Sequence, residues 1–132
     1  MIRLNSFRKK NMKNREIKFR VWNHGDDRGG KTGMYYYDLE FAARCYKHPE
    51  YYTLQQFTGI LDKNSREIYE GDIIKAEYKE KGNFIVGEIK FGSGGFFINK
   101  YDYLWFGVKN DVYEDGEVVG NIFENPELLN KE

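Results

Sequence analysis

The chain has 132 residues with 21 basic and 21 acidic side chains, long enough for one domain or two small subdomains that share a core. Its aromatic content of 17%, its 14 glycines and its 2 prolines favour β structure. The single cysteine excludes an intrachain disulfide framework, and no apolar run approaches the roughly 20 residues that span a bilayer. We therefore expect a cytoplasmic protein with no membrane contact.

Positive charge is concentrated at the N-terminus. Residues 1–20 carry eight basic side chains against the single acidic Glu16, a net charge of +7, so the rest of the chain carries −7. We interpret residues 1–14 as a disordered basic tail. Met12 is an alternative start, which would leave a net charge of −4 because the four basic residues before it would be absent.

An alternating segment opens the ordered sequence. Within residues 15–22, Ile17, Phe19 and Val21 share one face, while Arg20 lies on the other. This alternation is typical of a half-buried strand.

A second strand and a short helix follow a glycine-rich loop. Residues 34–37 predict a strand that pairs with the first, and residues 39–46 predict one or two helical turns. The apolar face of this helix contains Leu39, Ala42, Ala43 and Tyr46. Together these elements predict a small N-terminal α+β portion over residues 15–57.

The sequence of the C-terminal portion predicts a series of short strands. We expect them at residues 51–58, 67–70, 72–79, 84–91, 96–98 and 117–123. Asn125 and Pro126 then predict a short helical turn, with Asn125 as its N-cap. The predicted fold is mainly β (α+β), with an all-β portion over residues 58–129 that forms an SH3-like barrel or a bent sheet.

The segment Phe57–Ile74 is rich in turn-forming residues. Asp62 and Asn64 bend the chain readily because their side chains hydrogen-bond to nearby backbone. Gly71 can take a positive φ, and Asp72 can accept backbone N–H groups where the next strand starts. We interpret these as structural residues and not as a metal site or an acid–base pair, because no histidine lies nearby.

Candidate catalytic groups are few. His24 lies in the glycine-rich loop and His48 precedes a proline, and the sequence identifies a partner for neither. Cys45 has Arg44 beside it, but a nucleophile also needs an orienting base. Gly29–Thr32 ends in Gly-Lys-Thr, yet the helix that completes a phosphate-binding loop does not follow. We expect no enzyme, no cofactor and no metal.

Three blocks of sequence resemble the YopX family of bacteriophage and prophage proteins. They are Arg15–Trp22, Phe57–Ile73 and Val119–Leu129, so the resemblance extends from about residue 15 to residue 129. Ser65 stands where family members commonly carry glycine. The resemblance implies an N-terminal α+β portion, a C-terminal all-β portion and self-association. It implies no catalytic or binding residues.

The surplus of aromatic residues favours a binding function. We expect a phage accessory protein that is a non-catalytic macromolecule-binding module, with a host or phage protein as partner or a second copy in a homo-oligomer. The candidate interaction surface comprises Tyr35, Tyr36, Tyr37, Lys100, Tyr101, Tyr103 and Trp105. A nucleic-acid-binding β-barrel is a less favoured alternative, because the body is net acidic. A phage protein that sequesters a small ligand is the third possible function.

Overall fold

The computed structural model describes residues 14–25, 30–77, 84–99 and 116–130. In the first of its two antiparallel sheets, the strand order is β2-β1-β3-β4. These strands are β1 (Phe19–Asn23), β2 (Gly33–Tyr37), β3 (Tyr52–Leu61) and β4 (Glu67–Tyr69). The second sheet has the order β7-β6-β5-β8. Its strands are β5 (Asp72–Glu77), β6 (Phe84–Gly92), β7 (Gly95–Asn99) and β8 (Glu117–Asn121).

The fold class predicted from the sequence is confirmed. The chain is mostly β, with two antiparallel sheets of which one curls into a half-barrel. A single α-helix, α1 (Leu39–Tyr46), and a 3-10 helix (Pro126–Asn130) complete the described ranges. Neither helix is long and apolar enough to cross a bilayer.

The α1 helix covers one face of the first sheet. It begins after Asp38, whose carboxylate accepts the backbone N–H of Phe41 at 2.8 Å and so caps the helix. Ala42 and Cys45 are its buried residues, and they pack against Val21 of β1. The small side chains let the helix lie close to the sheet.

The larger core is formed by the second sheet together with Ile68 of β4. Its buried residues are Ile68, Ile74, Ala76, Ile85, Ile89, Ile98 and Val118. Phe91 lies two positions after the buried Ile89 in β6, but it is exposed. It lies near the β6–β7 hairpin tip, where it contacts Phe96 instead of the core. The tip is a tight turn at Ser93 and Gly94, both with positive φ.

A buried ion pair joins the two sheets. Arg20 of β1 donates from Nη1 to Asp72 Oδ1 at 2.8 Å, although the alternation of β1 placed it on the face away from the core. Its Nε donates to Gln55 Oε1 at 2.7 Å and its Nη2 to the carbonyl of Glu70 at 3.1 Å. Nearby, Trp22 stacks on Phe123 with ring centroids 4.9 Å apart. Both faces of β1 are therefore covered.

Asp62 organises the turn between β3 and β4. Its Oδ1 accepts the backbone N–H groups of Asn64 at 2.8 Å and Arg66 at 2.9 Å. Its Oδ2 accepts the N–H of Val118 in β8 at 2.9 Å. Ser65 in the same turn has a φ of 64°, in the left-handed region that glycine favours. One carboxylate thus fixes a turn in one sheet and a strand in the other.

The C-terminal turn differs in detail from the prediction. Pro126 opens the helix as expected, but the helix is of the 3-10 type. The side chain of Asn125, predicted to cap it, instead accepts the backbone N–H of Asn121 at 3.2 Å. The Asn125 carbonyl accepts the N–H of Leu128 at 3.1 Å. The asparagine therefore ties the helix back to β8.

Candidate functional site

An apolar groove of about 520 Å³ is formed where α1 meets the first sheet. Phe19 of β1 and Leu54 of β3 contribute from the sheet. The remaining lining residues come from α1 and its C-cap: Leu39, Ala42, Ala43, Tyr46 and Lys47. A concave surface with this lining suits an apolar ligand group.

The groove exists because of how α1 distributes its apolar residues. Leu39 and Tyr46 lie seven positions apart on one flank of the helix, with Ala42 and Ala43 between them. This is the apolar face predicted from the sequence, but only Ala42 of that set is buried. Leu39 is 53% exposed and Tyr46 is 74% exposed. The alanines leave space between these larger side chains, and the groove occupies it.

The groove carries little charge. Lys47 is its one charged lining residue, and it forms no ion pair with any residue in the described ranges. On α1, Arg44 and Glu40 pair with each other at 3.6 Å. Burial raises the pKa of the Cys45 thiol beneath the helix, which opposes formation of a thiolate nucleophile.

The three predicted tyrosines do not share one surface. Tyr35 and Tyr37 stack at 5.9 Å, and Tyr37 contacts Phe41 of α1 at 4.3 Å. Tyr36 lies on the opposite face, where its ring is 5.7 Å from that of Tyr69. The other members of the candidate surface, Lys100, Tyr101, Tyr103 and Trp105, lie outside the described residues.

The histidines have partners that the sequence did not reveal. His24 Nε2 lies 2.8 Å from Thr53 Oγ1, and its ring meets Phe123 edge-on at 5.5 Å. His48 Nδ1 lies 3.3 Å from Glu50 Oε1 at the surface. In the described part of the chain, no cluster of three or more His, Cys, Asp or Glu side chains could hold a metal ion.

The buried carboxylates serve structural contacts. Asp62 is occupied by three backbone N–H groups, as described above. Burial raises the pKa of Asp72, while the Arg20 guanidinium and the Tyr69 N–H at 2.7 Å oppose that shift. Both Asp72 oxygens are thus engaged within the protein.

A second groove, of about 460 Å³, is more polar. Glu16 and Glu67 are among its lining residues, and both pair with Lys18. These two carboxylates therefore share a single lysine within the protein. The groove beside α1, with exposed apolar side chains and a lysine that forms no ion pair among the described residues, is the better candidate site.

Of the groove residues, the sequence identified Leu39, Ala42, Ala43 and Tyr46 as one helical face. It did not identify Phe19, Leu54 and Lys47 as members of a site. Phe19 and Leu54 fit strand patterns that predict core positions, and only the docking of α1 shows that the helix leaves them partly open.

Comparison with known proteins identifies the family. The family model described as YopX protein matches residues 6–130. The chain is also similar to a solved structure, the crystal structure of protein EF1440 from Enterococcus faecalis, at 30% sequence identity and a TM-score of 0.55. That alignment covers 88% of this chain and 99% of the other. No curated protein matches. The chain belongs to the YopX family.

Proposed function

We propose that this protein is a non-catalytic binding module that holds another protein in the groove beside α1. The observation that carries the proposal is the exposure of Leu39 and Tyr46 on either side of an apolar groove. Fully burying such a side chain contributes about 1.5–3 kcal/mol, and tyrosine is enriched among residues that dominate binding energy.

The proposed partner is a host or phage protein, met in the cytoplasm of the host cell by a phage-encoded accessory protein. A protein partner is favoured over nucleic acid because the groove offers one cation, Lys47, where a phosphate backbone would need several. It is favoured over a small ligand because the groove is open along the helix flank and exposes large side chains.

The test begins with capture of partners from phage-infected host cells, followed by binding measurements with the purified partner. Tyr46→Ser and Leu39→Ser should each weaken binding by at least about tenfold, because each removes apolar area from the interface. Stability should change by no more than about 0.5 kcal/mol, since both side chains are exposed.

Phe91→Ser is the matched control, because Phe91 is also an exposed large apolar residue but lies in the second sheet. Its affinity for the partner should be unchanged. Retained affinity in both groove variants would contradict the proposal. Retardation of single-stranded oligonucleotides by the wild type, abolished by neither groove variant, would favour the nucleic-acid alternative.

A further inference from the structure

Among the described residues, β2 is an edge strand of the first sheet. It pairs with β1 over all five residues without a register shift, and no other strand among the described residues pairs with it. Its sequence, Gly-Met-Tyr-Tyr-Tyr, contains no charge and no proline. Native proteins usually blunt such edges with lysine, proline, bulges or covering segments. At the opposite edge, β4 has three residues, an acidic Glu67 and a shifted register with β3.

Aromatic side chains flank this edge on both faces of the sheet. Tyr35 and Tyr37 stack on the α1 side, and Phe41 extends that row. Tyr36, which is 64% exposed, lies on the other side. An added strand would therefore contact aromatic rings with alternate side chains on either face. Apolar or β-branched residues fit these contacts best.

The charges at the two ends of β2 have opposite sign. Lys31 precedes the strand, is exposed and forms no ion pair in the described ranges. Asp38 and Glu40 follow the strand and are exposed, while Asp38 also caps α1 and Glu40 also pairs with Arg44 at the surface. A strand added antiparallel would place its C-terminal end beside Lys31 and its N-terminal end beside the two carboxylates.

We infer that β2 accepts an extended segment of a partner protein as an additional antiparallel strand. The segment is apolar or β-branched, begins with a basic residue and ends with an acidic one. The inference rests on the proposed binding function but uses a surface other than the α1 groove. Main-chain hydrogen bonds supply the affinity in this mode of recognition, and side-chain contacts supply the specificity.

A second copy of the chain is the competing occupant, since β2 has the same order of charges. The size of the edge argues against it. Stable interfaces use roughly 20–30 residues a side, whereas this edge offers five, which suits a transient peptide contact.

The probe is a short acetylated and amidated peptide in which lysine precedes, and glutamate follows, alternating valine and threonine. It should shift the amide NMR signals of residues 33–37 and leave those of residues 42–47 in the α1 groove in place. Two further peptides are N-methylated at alternate residues, one on each edge of the strand. The version methylated on the edge that faces β2 should bind at least about tenfold more weakly, because its N–H donors toward β2 are removed. The version methylated on the other edge should bind as the parent peptide does.

Charge reversal tests the direction of the added strand. A peptide with glutamate first and lysine last should bind about two- to fivefold more weakly than the parent. Lys31→Glu should reduce or invert that preference. Because Lys31 is exposed, this variant keeps its fold.

The inference is overturned if no peptide binds at millimolar concentration, if both N-methylated versions bind equally, or if the shifts map to residues 42–47 and not to residues 33–37. It is also overturned if the amide signals of residues 33–37 shift when only the protein concentration is raised, and the molecular mass doubles at the same time. That outcome would identify a second copy of the chain as the occupant. Loss of partner binding in Tyr46→Ser would leave the groove proposal standing in each case.

Discussion

At the scale of single residues, the carboxylate of Asp62 accepts hydrogen bonds from three backbone N–H groups. Burial alone would raise its pKa, but the N–H groups of Val118, Arg66 and Asn64 outweigh that effect and lower it. A carboxyl group with a lowered pKa in the folded state stabilises the protein fully above its unfolded pKa of about 3.9, and this stabilisation is lost as the pH falls through the folded value.

Asp62→Asn should therefore lower the free energy of unfolding at pH 7 by about 1.5–3 kcal/mol, the value of hydrogen bonds to a charged group. As the pH falls below about 4 the difference from the wild type should shrink, because the unfolded wild-type chain takes up a proton at Asp62 before the folded protein does. Urea denaturation over this pH range measures both effects. Glu127→Gln is the control, since Glu127 is exposed and should change neither. A constant difference at every pH would contradict this account.

The backbone conformation of Ser65 leads to a second prediction at the scale of single residues. Its φ of 64° is a left-handed conformation, which is unfavourable by about 1–2 kcal/mol for a residue with a Cβ. Ser65→Gly should raise the free energy of unfolding by about 0.5–1 kcal/mol, because the greater freedom of glycine in the unfolded chain offsets part of the gain. Ser65→Ala keeps the Cβ and should give no gain. If alanine stabilised as much as glycine, backbone strain would not be the cause.

At the scale of elements, the connection between β4 and β5 depends on Gly71. Its φ is 81°, and a Cβ placed there would lie 1.9 Å from Gln55 Nε2. Gly59 has a similar φ of 86°, but nothing lies within 4 Å of such a Cβ. The two glycines therefore separate the effect of backbone strain from the effect of a steric clash.

Gly59→Ala should lower the free energy of unfolding by about 1–2 kcal/mol, the effect of the left-handed backbone alone. Gly71→Ala should lower it by about 1–3 kcal/mol more, because Gln55 must move away from its hydrogen bond with the buried Arg20. Thermal or urea unfolding of the two variants measures the difference. Equal losses would show that Gln55 adjusts without consequence.

Local patterns explain why most elements were predictable. The α1 helix has the predicted bounds because a capping aspartate and an apolar helical face occur together in a short segment. The tight β6–β7 turn does not follow from the sequence alone, because the four small residues 92–95 fit a longer loop equally well. Only the register of β6 with β7 selects Ser93 and Gly94 as the turn.

At the scale of the whole molecule, the Arg20–Asp72 pair connects the two sheets through side chains that are only 4% and 3% exposed. Removing one partner leaves an uncompensated buried charge, so Arg20→Met or Asp72→Asn alone should lower the free energy of unfolding by about 3–5 kcal/mol. The double variant should lose less than the sum of the two, with a coupling of about 1 kcal/mol or more.

The exposed Glu40–Arg44 pair is the control for this double-mutant cycle. Its two side chains lie 3.6 Å apart on the solvent side of α1, and the same cycle should give a coupling of about 0.5 kcal/mol or less. Chemical denaturation of the four variants in each cycle measures both couplings. Additive losses at Arg20 and Asp72 would show that the pair does not act as a unit.

This pair also shows what the sequence could not predict. Alternation along β1 distinguishes two faces, but it does not show that a segment fifty positions later covers the second one. The candidate groove has the same origin. Its helical side was visible as a periodic pattern, whereas Phe19 and Leu54 become part of a site only when α1 docks on the sheet.

The position of Cys45 gives the molecule a built-in kinetic reporter. This single cysteine is 4% exposed beneath α1, so a thiol reagent can reach it only while the helix is lifted from the sheet. The rate at which Cys45 is alkylated therefore measures how often α1, which forms one wall of the groove, lifts from the sheet. A partner that binds only the closed groove would slow alkylation by the factor by which it stabilises that state. The reaction of one thiol would thus report occupancy of the groove without any added label.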